Sequence, residues 1–166
     1  MINHPYSVKN IKRVRGTEGY GFTATLYFGN KRLGTVMDHA NGAPLFFEVE
    51  REAKQALELY AKGLPDKICD FNDPQTGQPA VVKYTAELLV DQLVNQAQSL
   101  KQVKNILKKG STIAIIDNRK VYKIEYMGPV GLKIIANYKK ENPEAIVLNG
   151  LSDEEIMATM EAHGCV

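Results

Sequence analysis

Between positions 21 and 36 the chain alternates with a period of two: Phe22, Ala24, Leu26 and Phe28 fall on one face and Thr23, Thr25 and Tyr27 on the other. This is the pattern of a half-buried strand. Gly29-Asn30 can supply the left-handed backbone of a tight reversal, so residues 33–38 should return antiparallel to the first run. A lone hairpin is at best marginal in water, so its apolar face needs a cover. Leu45, Phe47 and Val49, alternating with Phe46 and Glu48, add a strand; from Glu50 the period changes, and Ala53, Ala56, Leu57 and Tyr60 recur at helical spacing until Gly63 and Pro65. That helix is the natural cover. Residues 7–15 suit a first strand, although Val8, Ile11 and Val14, three apart, would also suit a short helix. Residues 1–62 therefore read as an antiparallel β-meander with one packing helix.

Residues 63–84 read as a loop or linker, with three prolines and no sustained period. Asp66, Cys69, Asp70 and Asp73 raise the question of a metal, but their spacing matches neither a calcium loop nor a zinc site, and turn-forming aspartates are the simpler reading. No metal or cofactor is expected. From 85 to 109 a stripe of Ala86, Leu89, Val90, Leu93, Ala97, Leu100, Val103 and Leu107 predicts a long helix capped by Thr85 and stopped at Lys108-Lys109-Gly110. Heptad-like recurrence at 86, 93, 100 and 107 keeps both a monomer and a homodimer in play. Residues 112–117 and 121–127 predict a second hairpin turning at 118–120. After a turn at 128–131, residues 132–138 predict a third strand and 145–148 a last short one. Ser152 and Glu155 form a capping box, with Leu151 and Ile156 placed as a hydrophobic staple, and Gly164 ends the closing helix. The predicted fold class is α+β: a β-meander with one helix (1–62), a linker (63–84), then a long helix on a second antiparallel meander with a short C-terminal helix (85–166).

A chain of 166 residues, 44% apolar and 24% charged, has the composition of a globular protein. No apolar run approaches the roughly 20 residues of a membrane span, and Met-Ile-Asn-His-Pro-Tyr is unlike a secretory signal, so the expected setting is cytoplasmic, without a membrane partner. Cys69 and Cys165 read as free thiols. The net charge of +2 conceals an excess of base in residues 1–47 and 110–140 and a purely acidic stretch in 141–166. Three glycines in 16–21 do not make a phosphate loop, because a strand and not a helix follows them.

No local catalytic signature is present: His4, His39 and His163 stand apart, and an enzyme is not the favoured reading. Nucleic-acid binding has more support. Lys12, Arg13 and Arg15, with Lys9, precede the first hairpin, Lys31 sits at its turn beside Tyr20 and Tyr27, and Arg119 and Lys120 occupy the second turn. Lysines at turns also keep edge strands from pairing with other chains.

Phe22-Thr23-Ala24-x-Leu26-Tyr27, then Lys31-x-x-Gly34-x-Val36, then Asn41-Gly42-x-Pro44 before a Phe-rich run and a Glu/Lys/Ala helix, resembles uncharacterised small accessory proteins of bacteriophages and mobile elements over about residues 11–62. The resemblance implies a bacterial cytoplasm and stoichiometric binding to a host protein, with anti-defence and anti-CRISPR-like inhibition among the expected roles. It carries over no functional residue. The residues themselves point to the exposed side of the first hairpin and the following turn, with Arg32, Asn41 and Phe46 as partner-binding candidates. Phe46, opposite in alternation to Leu45 and Phe47, is the apolar side chain left for a partner.

Overall fold

A computed structural model describes residues 4–108, 112–117, 119–126 and 131–165. The fold is α+β, with antiparallel sheets throughout. The chain divides into two compact units, His4–Val94 and Asn95–Val166, the division falling within one long helix.

In the first unit β1 (Tyr6–Arg15), β2 (Tyr20–Phe28), β3 (Lys31–Asp38) and β4 (Phe46–Val49) form a sheet in the order β1-β2-β3-β4, followed by α1 (Arg51–Lys62). The alternation predicted for β2 holds: Phe22, Ala24 and Leu26 are buried, joined on the same inner face by Tyr6 and Val8 of β1 and Val36 of β3. Phe28, at the strand end, is half exposed and meets Tyr6 edge-on, with ring centroids 5.1 Å apart. At the β2–β3 turn only Gly29 takes positive φ, 54°, as in hairpin turns that place glycine first.

Helix α1 covers this inner face as expected. Leu57 and Ala61 are fully buried, Tyr60 meets Tyr6 at 5.2 Å, and Lys54 lies over the Phe47 ring. The Tyr60 hydroxyl and His4 Nδ1 are hydrogen-bonded at 3.0 Å. Burial, with Tyr60 second, raises the Tyr6 phenol above its ordinary range. Gly34 is required where β3 and β4 touch: a Cβ there would collide with the Glu48 carbonyl oxygen.

The stretch read as an irregular linker contains a hairpin, β5 (Lys67–Asn72) paired with β6 (Pro79–Val82). Asp73 turns it, its carboxylate accepting the Gln75 N–H at 2.7 Å, which is the turn-forming role expected of an aspartate. The hairpin exposes Ile68, Phe71 and Val81. The long helix α2 (Ala86–Leu107) begins as predicted, the Leu88 N–H donating to Thr85 Oγ1 at 3.1 Å. Its first turns bury Ala86, Leu89, Val90 and Leu93.

In the second unit β7 (Thr112–Asp117) pairs with β8 (Lys120–Glu125) and with the two-residue β9 (Ile146–Val147), in the order β8-β7-β9. The third strand expected at 132–138 is instead a helix, α3 (Gly131–Glu141). Ile134, Ile135 and Tyr138, at helical spacing, pack against the buried pair Ile115 and Ala145, while Lys133, Lys139 and Lys140 stay exposed. The later part of α2 and α4 (Asp153–Ala162) cover the other face, where Val103, Ala114, Ile116, Leu148, Ile156 and Met160 form one buried cluster. Lys104 to Asp153, 2.6 Å, and Gln96 to Glu161, 2.8 Å, join these two helices at their rim. The capping box of Ser152 and Glu155 is formed, and both staple residues, Leu151 and Ile156, belong to the cluster. Positive φ at Gly164, 64°, ends α4. The expected helix stop at Lys109-Gly110, Asn118 of the second turn, and 128–130 of the third lie outside the described residues.

Candidate functional site

The outer face of the four-stranded sheet is assembled by two irregularities in register. In an antiparallel pair, residues directly opposite share a face. Lys9 opposes Thr25 and Lys12 opposes Thr23, so Asn10 and Ile11 together oppose Ala24: a bulge, with Asn10 at φ 55°. Without the extra residue Lys12 would fall on the inner face. The same happens on β3, where Gly34 opposes Leu26 but Arg32 opposes Tyr27, leaving Leu33 as the extra residue and turning Arg32 outward. Across the bulge Val8, opposite Leu26, and Val14, opposite Gly21, fall on opposite faces of one continuous strand.

Three cross-strand rows result. Lys12, Thr23, Met37 and Phe46 form the first; Lys9, Thr25, Thr35 and Glu48 the second; Ser7, Tyr27 and Arg32 the third. With strands about 4.8 Å apart and alternate residues about 6.7 Å apart, the surface measures roughly 14 Å each way. Lys9, Lys12, Arg32 and Phe46 are exposed, Phe46 at 54%. Three cations face a single carboxylate, Glu48. The Lys9 ammonium lies 4.9 Å from the Tyr27 ring centroid, and His39 stands beside Phe46 at 6.3 Å. Beyond the end of β4 a notch of about 520 Å³ opens, lined by Arg32, Leu33, Glu48 and Glu50.

The partner-binding candidates are therefore placed unequally. Arg32 and Phe46 share the face from opposite ends of the β3–β4 pair. Asn41 lies in the connecting loop, where its Oδ1 accepts the Ala43 N–H at 3.2 Å, which gives it a local turn-forming role. Of the basic candidates, Lys12 joins the outer face; Arg13 stacks on Tyr20, its guanidinium carbon 3.5 Å from the ring centroid. Arg15 opposes Tyr20 and Lys31 opposes Phe28. Eight residues of β2, about 26 Å, separate those last two, so they make no common patch. Arg119, with φ 61°, and Lys120 belong to the β7–β8 turn of the other unit.

Sequence reading missed Met37 and Thr35 as members of this face, because the alternation of β3 is broken by its bulge. It also missed the exposed apolar hairpin of β5 and β6, whose signal was the Val81-Val82 pair. Among the described residues no group of three or more His, Cys, Asp or Glu is disposed to hold a metal, and no helix is long and apolar enough to cross a membrane. Asp91 of α2 is raised above the ordinary carboxylate range by burial first and by Asp38 and Glu87 second. Compared with protein-family models, curated proteins and solved structures, the chain finds no match.

Proposed function

We propose that this chain is a phage-type accessory protein that binds a host protein in the bacterial cytoplasm, inhibiting or redirecting it, with anti-defence inhibition as the role that fits best. The observation that carries the reading is the outer face of the four-stranded sheet, where two bulges set Lys12 and Arg32 beside Lys9, Tyr27, Met37 and exposed Phe46. Bulges recur where a sheet aims a side chain at a function. An exposed aromatic and an arginine on one face are the residue types that serve as interface anchors.

The test is capture from nuclease-treated bacterial lysate by the tagged chain, compared with Phe46→Ala and Arg32→Ala. Near-stoichiometric retention of one host protein, reduced about tenfold or more by either change, is expected for anchors worth about 1.4 kcal/mol or more. Equal capture by both variants would remove this face from the interface. A second reading, nucleic-acid binding through the same face, is favoured by its excess of cations and by the Lys9–Tyr27 contact. It predicts recovery that disappears with nuclease and affinity that falls steeply with salt.

A further inference from the structure

That residues 131–141 form a helix and not a strand changes what their polar side chains do together. A strand would send Lys133 and Lys140 to opposite faces. In α3 Lys133, Ala136, Asn137 and Lys140 recur at i, i+3, i+4 and i+7, which is one stripe of the helix surface. All four are exposed, and so is Lys139 beside them. The opposite side is anchored, because Ile134, Ile135 and Tyr138 pack against Ile115 and Ala145. Helix α3 is therefore held by one face and open on the other over its 11 residues, about 16 Å of axis.

The open stripe has one sign of charge. Its ionised groups are Lys133, Lys139 and Lys140; Glu141, the single acid of the helix, stands at its C-terminal end. Among the described residues the ion pairs join Lys104 to Asp153 and Lys123 to Glu125, so no carboxylate engages these three lysines. Lys139 and Lys140 suit the negative end of the helix dipole in any protein. Lys133 does not: it sits in the first turn, which holds no acid, so its ammonium group faces the positive end. The dipole disfavours that placement, whereas an anion laid along the helix meets all three ammonium groups. Strand β8 adds exposed Lys120 and Tyr122, opposite Asp117 and Ile115, on the α3 side of the sheet.

We infer that α3 lays this stripe in the major groove of double-stranded DNA. An α-helix with its side chains is about 10–12 Å across, and the major groove of B-form DNA is about 12 Å wide. Ala136, the smallest side chain of the stripe, lets the helix approach the groove floor, and the Asn137 amide beside it has the donor and acceptor pair that fits an adenine edge. Lys133 and Lys140, about 10 Å apart along the axis, and Lys139, about 100° around from Lys140, are left for phosphates on the groove walls. Duplex RNA is not equivalent, because its major groove is deep and narrow. The site shares no residue with the outer sheet face, so it goes beyond the function proposed above and does not depend on it.

The probe is a fluorescein-labelled DNA duplex of two helical turns and mixed sequence, titrated with the full chain and read by anisotropy. Saturable binding is expected at low salt. For three phosphate contacts log K should fall with log salt at a slope of about −2.7, roughly fortyfold between about 50 and about 200 mM. Lys133→Gln combined with Lys140→Gln should bring the slope to about −0.9 and weaken binding tenfold or more. Lys62→Gln combined with Lys83→Gln, the same change of charge at exposed sites of the first unit, should alter neither. Amide NMR on the unmodified protein gives a readout independent of any variant's folding: backbone resonances of 131–141 and the Asn137 side-chain amide should shift when the duplex is added. Absence of saturable binding, a slope unchanged by the α3 substitutions, shifts confined to other elements, or equal affinity for duplex RNA of the same sequence would each overturn the proposal.

Discussion

The two larger sheets of this protein begin from similar hairpin signals, yet one is covered on one face and the other on both. In β2 apolar and polar residues alternate, and only the inner set is buried; in β7 Ala114, Ile115 and Ile116 are consecutive and all at 2% exposure or less. Alternation belongs to a sheet with one packed face, and a continuous apolar run to a sheet packed on two. The difference has a functional consequence. A strand row with no helix over it can carry cations, threonines and an exposed phenylalanine at little folding cost, whereas the doubly covered sheet packs apolar side chains on both of its faces.

The largest expected effect that would sharpen this contrast is in the doubly covered sheet. Ile116→Ala should cost about 2–5 kcal/mol in chemical denaturation, from lost burial and the cavity left in the cluster. Phe46→Ala should stay within about 0.5 kcal/mol, as expected for an exposed site. Comparable losses for the two would mean that the outer face is packed and the contrast is false.

A smaller effect separates the helices that provide the covers. Helix α4 starts with a complete capping box, whereas α1 starts at Glu50 with no side-chain cap hydrogen bond. Ser152→Ala should therefore cost about 1 kcal/mol, and Glu50→Ala markedly less, in the same denaturation assay. An equal cost at Glu50 would show that α1 is held by more than its buried stripe.

The smallest effects are expected in the dependence on pH, and they should have opposite signs. Glu155 is held below the usual carboxylate range chiefly by the Ser152 N–H, so its contribution is present above the unfolded value and is lost as pH falls through the folded one. Asp91 is raised by burial and by its acidic neighbours, so its protonated form favours the fold: its contribution is full below the unfolded value and is lost as pH rises through the folded one. Asp91→Asn should thus raise the thermal midpoint at neutral pH, the gain shrinking toward about pH 4, near the unperturbed aspartate value. Glu155→Gln should lower the midpoint at neutral pH and have little effect in acid. The same sign for both would contradict the assigned environments.

Much of this was legible in the residues because the responsible interactions are local. Alternation in 22–28, helical spacing in 51–62, the threonine cap at 85 and the Ser152–Glu155 box each involve neighbours within a few positions, so strand, helix and cap could be read directly. Phe46 could be assigned to a surface for the same reason, from its alternation with Leu45 and Phe47. At 131–141 the sequence was ambiguous. Ile-Ile and Tyr favour a strand by propensity, and only packing of Ile134, Ile135 and Tyr138 on Ile115 and Ala145 selects the helix. The β5–β6 hairpin was hidden among prolines and turn residues, its pairing set by partners thirteen and fifteen positions apart at Ile68–Val81 and Lys67–Val82.

What the sequence determined by itself was the alphabet of elements and their order, since periodicity and capping are properties of short stretches. Only the tertiary structure decided which residues share a surface. A one-residue bulge reverses the face of every side chain beyond it, and nothing local to Lys12 or Arg32 reveals the partner strand against which that extra residue is counted. The order β8-β7-β9 likewise depends on β9 returning to the far side of β7 after α3. That choice is made by the burial of both sheet faces together, which involves residues some thirty positions apart, Ile115 with Val147 and Ile116 with Ile146.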